Sequence, residues 1–271
     1  AYTRICAFEL FTCEAQETAI MKVAGSTDFQ SVLKEGESFA VRIKRVRTYA
    51  EKIGTVAFEG KLGKHILQNT AKTKVNLKIP DKTFIGILTN EKLVFGVKLA
   101  EIAPKPFVER RPRKKPFFHP SAMPSKLARC MVNLAHAKAD GLVLDPFCGT
   151  GSVIIEAAFV GCRVLGLDAQ RRMTKGCLKN LRHFQIEPKG LVLADARKPP
   201  LTKVDCLVTD PPYGRSATTL GRETGQIVRD FLSRVGDRIQ KGRRICIASP
   251  KSINIGKLAR ESGFKQVESH F

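Results

Sequence analysis

Two regimes of hydrophobic patterning divide the chain. Up to about residue 102, apolar and polar positions alternate in strand-like runs separated by short helical stretches. Tyr2 to Leu10 reads as a strand, with Thr12 as an N-cap and Ala15 to Val23 as the helix behind it. Gly25-Ser26-Thr27-Asp28 is a turn, and Phe29 to Leu33 reads as a helical stretch ending at Gly36. In Ser38 to Val46, Phe39, Val41 and Ile43 point one way while Arg42 and Lys44 point the other. A helix is expected around His65, Ile66 and Leu67, and Val75, Leu77 and Ile79 alternate with polar neighbours. Phe84 to Leu88 and Leu93 to Leu99 are strands joined by the hairpin loop Thr89-Asn90-Glu91-Lys92. This predicts a small α+β unit over residues 25–102, with residues 1–24 as the end of a preceding domain.

From Ser125 onward the pattern changes to short unbroken apolar runs between segments of helical spacing. Helices are expected over Ser125 to Ala137, Ser152 to Phe159, Arg171 to Phe184, Ile227 to Ile239 and Ile255 to Ser262. Strands are expected at Leu142 to Leu144, Arg163 to Leu167, Leu191 to Ala194, Cys206 to Thr209 and Arg244 to Ala248, with Lys265 to Phe271 reading as one more. Repeated strand–helix units imply a parallel, doubly wound α/β domain over residues 125–271. Between the two regimes, residues 103–124 hold six prolines together with Arg110, Arg111, Arg113, Lys114 and Lys115. Proline density predicts an extended linker there, and its charge suits a strap across phosphates.

Charge sharpens this picture. The chain has 47 basic and 25 acidic residues among 271, a net charge of +22, which points to a polyanionic partner such as nucleic acid. Lys61 and Lys64 add to the basic residues of the amino-terminal half. There is no run of about 20 apolar residues that would span a membrane, and no signal-peptide pattern at residue 1. The eight cysteines form no C-x-x-C pair and lie mostly in apolar runs, which suits buried thiols in a cytoplasmic protein and gives no metal site.

Four polar signals fall at successive strand ends. Asp145-Pro146-Phe147-Cys148-Gly149-Thr150-Gly151 joins the first strand of the second domain to a helix. Glycines there let the backbone pass close to a ligand, and an acid about 20 residues on is expected to hold ribose hydroxyls; Asp168 supplies it. Asp195-Ala196 follows the third strand, placed to meet an adenine amine, and Asp210-Pro211-Pro212-Tyr213-Gly214 follows the fourth. The loop lacks the third glycine of the dinucleotide fingerprint and is not a triphosphate-binding loop, so an adenosyl ligand without a phosphate chain suits it better. At the last motif, Asp210 and the Pro211 carbonyl could each accept an N–H from an amine in the plane of a ring, with Tyr213 stacked on that ring.

These motifs resemble those of class I S-adenosylmethionine-dependent methyltransferases, and the pair Asp-Pro-Phe-Cys-Gly-Thr-Gly with Asp-Pro-Pro-Tyr resembles enzymes that act on exocyclic amines of nucleobases. His119-Pro120-Ser121-Ala122-Met123-Pro124 resembles the segment preceding the first strand in tRNA guanine-N2-methyltransferases. Residues 25–102 resemble a THUMP RNA-binding domain, and residues 1–24 the end of the ferredoxin-like domain that accompanies it. Taken together, the chain is similar to THUMP-domain RNA methyltransferases of the archaeal tRNA guanosine-10 N2 type. The resemblance implies a Rossmann-like domain using S-adenosylmethionine and no metal. Asp210, Pro211 and Tyr213 become the catalytic set. Ser121, Asp145, Phe147, Gly149, Thr150, Gly151, Asp168, Asp195, Ala196 and Asp210 become the cofactor contacts. Lys61, Lys64, Arg110, Arg111, Arg113, Lys114 and Lys115 become contacts to tRNA. Guanine-N2 methylation at another tRNA position or in ribosomal RNA, and a non-catalytic RNA-binding protein on the same fold, stay open, as does a small activating subunit. The resemblance also implies a further strand beyond Phe271. All four acids lie beyond Pro116, so a chain beginning there is expected to keep cofactor binding and lose tRNA.

Overall fold

The computed structural model describes residues 2–198, 203–212 and 224–270, so Tyr213 and Gly214 lie outside the described residues. The chain forms two compact units, Thr3–Ala103 and Pro104–Phe271, the second also taking in the first two residues.

The amino-terminal unit is a five-stranded sheet in the order β1-β5-β4-β2-β3. Its strands are β1 (Ile5–Glu14), β2 (Ser38–Arg45), β3 (Lys74–Val75), β4 (Lys82–Leu88) and β5 (Lys92–Glu101), with helices α1 (Glu17–Gly25) and α2 (Thr55–Gln68) between them. β1 and β4 flank β5 antiparallel, and β2 runs parallel to both β3 and β4. Phe29, Phe39, Phe58, Phe84 and Phe95 are fully buried with Ile20 of α1 and Leu62 and Ile66 of α2 in one core. The expected hairpin is present, closed by Thr89 N donating to Lys92 O at 2.8 Å. Three expectations change. Thr12 does not cap a helix, because β1 continues through it to Glu14, and Phe29 to Gly36 forms turns. Residues 1–24 do not stand apart from 25–102, since β1 pairs with β5 along its length and α1 lies in the shared core. Gly96 shows how close that pairing is: a Cβ there would meet the Phe8 carbonyl oxygen at 2.1 Å, where the β1 register shifts.

The second unit is doubly wound and Rossmann-like. Its strands β6 (Leu142–Asp145), β7 (Arg163–Asp168), β8 (Gly190–Leu193), β9 (Cys206–Thr209) and β10 (Ile245–Ile247) run parallel in the order β10-β9-β6-β7-β8. Alternate strand residues feed two cores, as the period-2 geometry of a strand requires. Val143, Val164, Cys206 and Val208 pack with residues of α4 (Ser125–Leu134), α5 (Ser152–Ala158) and α6 (Arg171–His183). Leu144, Leu167 and Leu207 pack with residues of α7 (Thr224–Val235) and α8 (Ile255–Glu261). Residues 104–124 do not form an extended linker: they carry α3 (Lys105–Glu109) and a 3-10 turn at Pro112–Lys114 and belong to this unit. Ile239 lies beyond α7, bridging to Val204, and Lys265 to His270 takes no strand form. No helix among the described residues is long and apolar enough to cross a membrane.

Candidate active site

Strand order reverses between β6 and β9, and in open α/β sheets the crevice outside the carboxyl ends at such a point is where ligands bind. β6 ends at Asp145 and β9 at Thr209, immediately before Asp210, so the glycine loop and the Asp-Pro-Pro segment leave the sheet side by side. The loop is tightly held. Gly151 donates to Cys148 O at 2.7 Å, and Cys148 donates to Leu167 O at 2.8 Å. Gly149 and Gly151 have φ of 51° and 85°, a left-handed conformation that glycine takes without Cβ strain. A Cβ on Gly151 would also meet Cys177 Sγ at 2.7 Å.

Three of the four expected acids form one electrostatic cluster. Asp145 is 2% exposed; its Oδ1 accepts from Thr209 Oγ1 at 2.7 Å and from Phe147 N at 3.2 Å. Burial pushes its carboxyl up to about 7, the Thr209 hydrogen bond opposing, with repulsion from Asp210 and Asp168 adding to the rise. Asp168 accepts from Gly149 N at 2.9 Å and Gln170 N at 2.8 Å, and burial raises its carboxyl above the usual range. Its carboxylate therefore shapes the loop from the end of β7. Phe147 packs edge-on against Phe231, its ring centroid 5.6 Å away. Asp195, expected to meet an adenine amine, takes a neighbouring arginine: its two oxygens accept from Arg197 Nε at 2.9 and 3.0 Å, and Arg197 N donates to it at 2.9 Å. Ala196 is buried beside it. Ser121 Oγ lies 2.7 Å from His119 Nδ1.

The segment read as a phosphate strap turns inward in part, which corrects two of its expected RNA contacts. Arg110 is 7% exposed and grips the buried carboxylate of Glu156, Nε to Oε1 at 2.6 Å and Nη2 to Oε2 at 3.1 Å. Arg129 adds a third contact to Glu156 at 3.0 Å, and the Arg110 guanidinium sits 4.5 Å from the Phe159 ring centroid. Lys115 is also buried, donating to Ser152 Oγ at 3.0 Å, and burial pushes its amine down to about 8. Neither cation can reach a phosphate, because each is sealed against α5. Behind the glycine loop, fully buried Asn180 accepts from Phe117 N at 2.8 Å and donates to Phe117 O and Thr150 O, both at 2.9 Å. A chain beginning at Pro116 would lose Arg110 and Lys115, two of the cations held against α5.

Residues 112–271 match the UPF0020 family, described as an RMKL-like methyltransferase domain. The chain belongs to that family. Its relatives include the tRNA (guanine(10)-N2)-dimethyltransferases of Methanothermobacter thermautotrophicus, 40% identical over 83% of this chain, and of Methanocaldococcus jannaschii, 32% identical over 82%. The chain spans 66% and 65% of those two proteins' own lengths. A probable tRNA (guanine(10)-N2)-dimethyltransferase of Methanothermococcus thermolithotrophicus is 33% identical over 48% of this chain and 83% of its own.

Within the UPF0020 methyltransferase domain, sequence reasoning missed Glu156, Asn180 and Thr209. Each had a signal: a charge inside Val153-Ile154-Ile155-Glu156-Ala157-Ala158, an amide among the inward positions of α6, and a hydroxyl ending the fully buried β9. The remaining candidate RNA contacts stay on the surface. Arg111, Arg113 and Lys114 are exposed, Arg113 lying over Phe118 and Lys114 pairing with Glu109 at 3.0 Å. In the amino-terminal unit Lys64 is exposed on α2, and Lys61 is exposed and paired with Glu17 at 2.6 Å.

Proposed function

We propose that this methyltransferase transfers a methyl group from S-adenosylmethionine to the exocyclic N2 of guanosine 10 in tRNA. The observation that carries the reading is the acid cluster of Asp145, Asp168 and Asp210 around the crevice at the strand-order reversal. Clustered carboxylates repel a phosphate chain and favour a cationic ligand, while the glycine loop leaves room for an adenosyl group. S-adenosylmethionine fits both, since it is phosphate-free and carries a sulfonium and an ammonium. When bound it supplies an electrophilic methyl and leaves as S-adenosylhomocysteine. The naming of the relatives as guanine(10)-N2 enzymes supports the choice of amine and of nucleotide.

The chain's residues then act as follows. Asp168 holds the ribose hydroxyls. Asp210 and the Pro211 carbonyl each accept one N–H of the guanine amine, localising its lone pair and aiming it at the methyl. As the N–C bond forms and the C–S bond breaks, Asp210 takes the proton that leaves nitrogen. Tyr213 stacks on the base. The target nucleotide leaves its stack at a cost of roughly a few kcal/mol. The amino-terminal unit, a THUMP-like module, supplies phosphate contacts through Lys61 and Lys64, joined by Arg111, Arg113 and Lys114, and holds a feature common to tRNAs such as the 3′ end. The place of work is the cytoplasm, where tRNA is.

An unmodified tRNA transcript incubated with the full chain and S-adenosylmethionine is expected to yield N2-methylated guanosine mapping to position 10. One or two methyl groups, and any need for an added subunit, are read from the same nucleoside mass spectrum. Cofactor binding without product on tRNA or ribosomal RNA would leave a non-catalytic RNA-binding protein instead. tRNA affinity is expected to fall steeply with salt as lysine and arginine displace counterions.

Asp168→Ala is expected to weaken S-adenosylmethionine binding by about 1–3 kcal/mol, the cost of unpaired ribose hydroxyls and of a loosened Gly149 amide. Calorimetry on the folded variant checks this, and unchanged affinity removes the role.

A further inference from the structure

One buried hydroxyl stands outside the roles assigned so far. Thr209 ends β9, has no exposed surface, and precedes Asp210. Its backbone serves the sheet: it pairs with Ile247, and its carbonyl accepts from Ala248 N at 3.0 Å. Packing alone gives no reason for its hydroxyl. The rest of β9 is Cys206, Leu207 and Val208, and valine has the same β-branched shape and strand preference. A hydroxyl withdrawn from water costs free energy unless it is hydrogen-bonded. This one is bonded across the strand-order reversal, to Asp145 Oδ1 at 2.7 Å.

The position of that bond matters. β6 and β9 are neighbours whose register runs through Val143–Cys206 and Leu144–Leu207. Beyond Leu144–Leu207 the chain of one strand becomes the ligand loop and that of the other becomes the Asp-Pro-Pro segment. The Asp145–Thr209 bond joins the two at the point where they part. Asp145 anchors the loop through Phe147 N, on the same oxygen that Thr209 meets. A hydrogen bond to a carboxyl group is among the stronger kinds, and a threonine at a strand end has few rotamers to lose.

We infer that Thr209 is a positioning residue: its hydroxyl sets the register of the Asp210 segment against the ligand loop, and so the distance between acceptor amine and methyl donor. The inference rests on the methyl-transfer reading above. In-line transfer is steeply sensitive to such a distance, so a shift that leaves each half of the site intact still slows the reaction.

The test uses the full chain with Thr209→Val and Thr209→Ser. Calorimetry gives the affinity for S-adenosylmethionine, and single-turnover methylation of a tRNA transcript gives the rate at saturation. Thr209→Val is expected to fold, to bind the cofactor within about threefold of the parent, and to transfer roughly tenfold or more slowly. Thr209→Ser, which keeps the hydroxyl, is expected to recover most of that rate. A valine variant as fast as the parent overturns the inference. So does a serine variant as slow as valine, because the methyl group and not the hydroxyl would then matter. Should the valine variant fail to fold, Thr209→Ala is compared with Thr209→Ser, and equal rates overturn it likewise. A parent protein that neither binds S-adenosylmethionine nor methylates RNA overturns the functional reading itself and takes the role of Thr209 with it. That outcome is read before any variant is made.

Discussion

Alanine at position 210 is expected to leave a folded chain that still binds S-adenosylmethionine and tRNA but transfers methyl about 10²-fold more slowly or worse. Asp210 lies one residue beyond β9, outside the pairings of that strand with β6 and β10, so those ladders stand without its side chain. In the proposed reaction its carboxylate accepts an N–H in the ground state and the proton as the amine becomes cationic. Removing it also removes one of the charges that raise the Asp145 carboxyl, which then moves back towards the ordinary range. Asn at 210 keeps an acceptor but cannot take the proton, so it is expected to fall between Ala and the parent. Single-turnover rates at saturating cofactor decide. An alanine variant within threefold of the parent would remove Asp210 from the chemistry, and one that fails to bind cofactor would make it a binding group.

The second large effect is on stability. Glu156→Ala is expected to destabilise the methyltransferase unit by about 3–5 kcal/mol, the range for removing one partner of a buried ion pair. Here a single carboxylate, 1% exposed, answers both Arg110 and Arg129, with the buried amine of Lys115 adding to the field around it. Alanine leaves two guanidinium groups without a counter-charge and a cavity beside them. Glu156→Gln, with the same shape and one acceptor retained, should cost less. Urea unfolding followed on this unit measures both. A midpoint for Glu156→Ala equal to that of the parent would mean that water or rearrangement satisfies the arginines, and that the network holds nothing together.

What was legible in the sequence, and what was not, follows from the range of the forces involved. The ends of β9 are legible because three apolar residues and a β-branched threonine followed by Asp-Pro-Pro carry both the burial and the stop. The glycine loop was legible for a similar reason, as the φ values at Gly149 and Gly151 are local requirements. The proline-rich segment was misread because charge and proline are local signals whereas the partner of Arg110 lies 46 positions away. Nothing near Arg110 distinguishes it from Arg111, one facing Glu156 and the other solvent. Asp195 follows β8 as its sequence position implies, and the arginine two residues on donates to its carboxylate. The hydroxyl of Thr12 suits a helix cap, but pairing with β5 carries the strand past it.

The inward turn of Arg110 and Lys115 has a practical meaning for anyone building chimaeras. A boundary drawn by composition would be placed near Pro124, where the prolines end. A graft joined there would hand the recipient an α5 whose buried glutamate has lost one of its two arginines and an α6 whose Asn180 faces no Phe117. The clean suture lies at Ala103–Pro104. A foreign amino-terminal module attached at that point would inherit the whole inner clasp, together with the exposed Arg111, Arg113 and Lys114 on its outer side. Exchange of the amino-terminal unit thus leaves the methyltransferase unit whole only when the basic residues Arg110 to Lys115 stay behind with it.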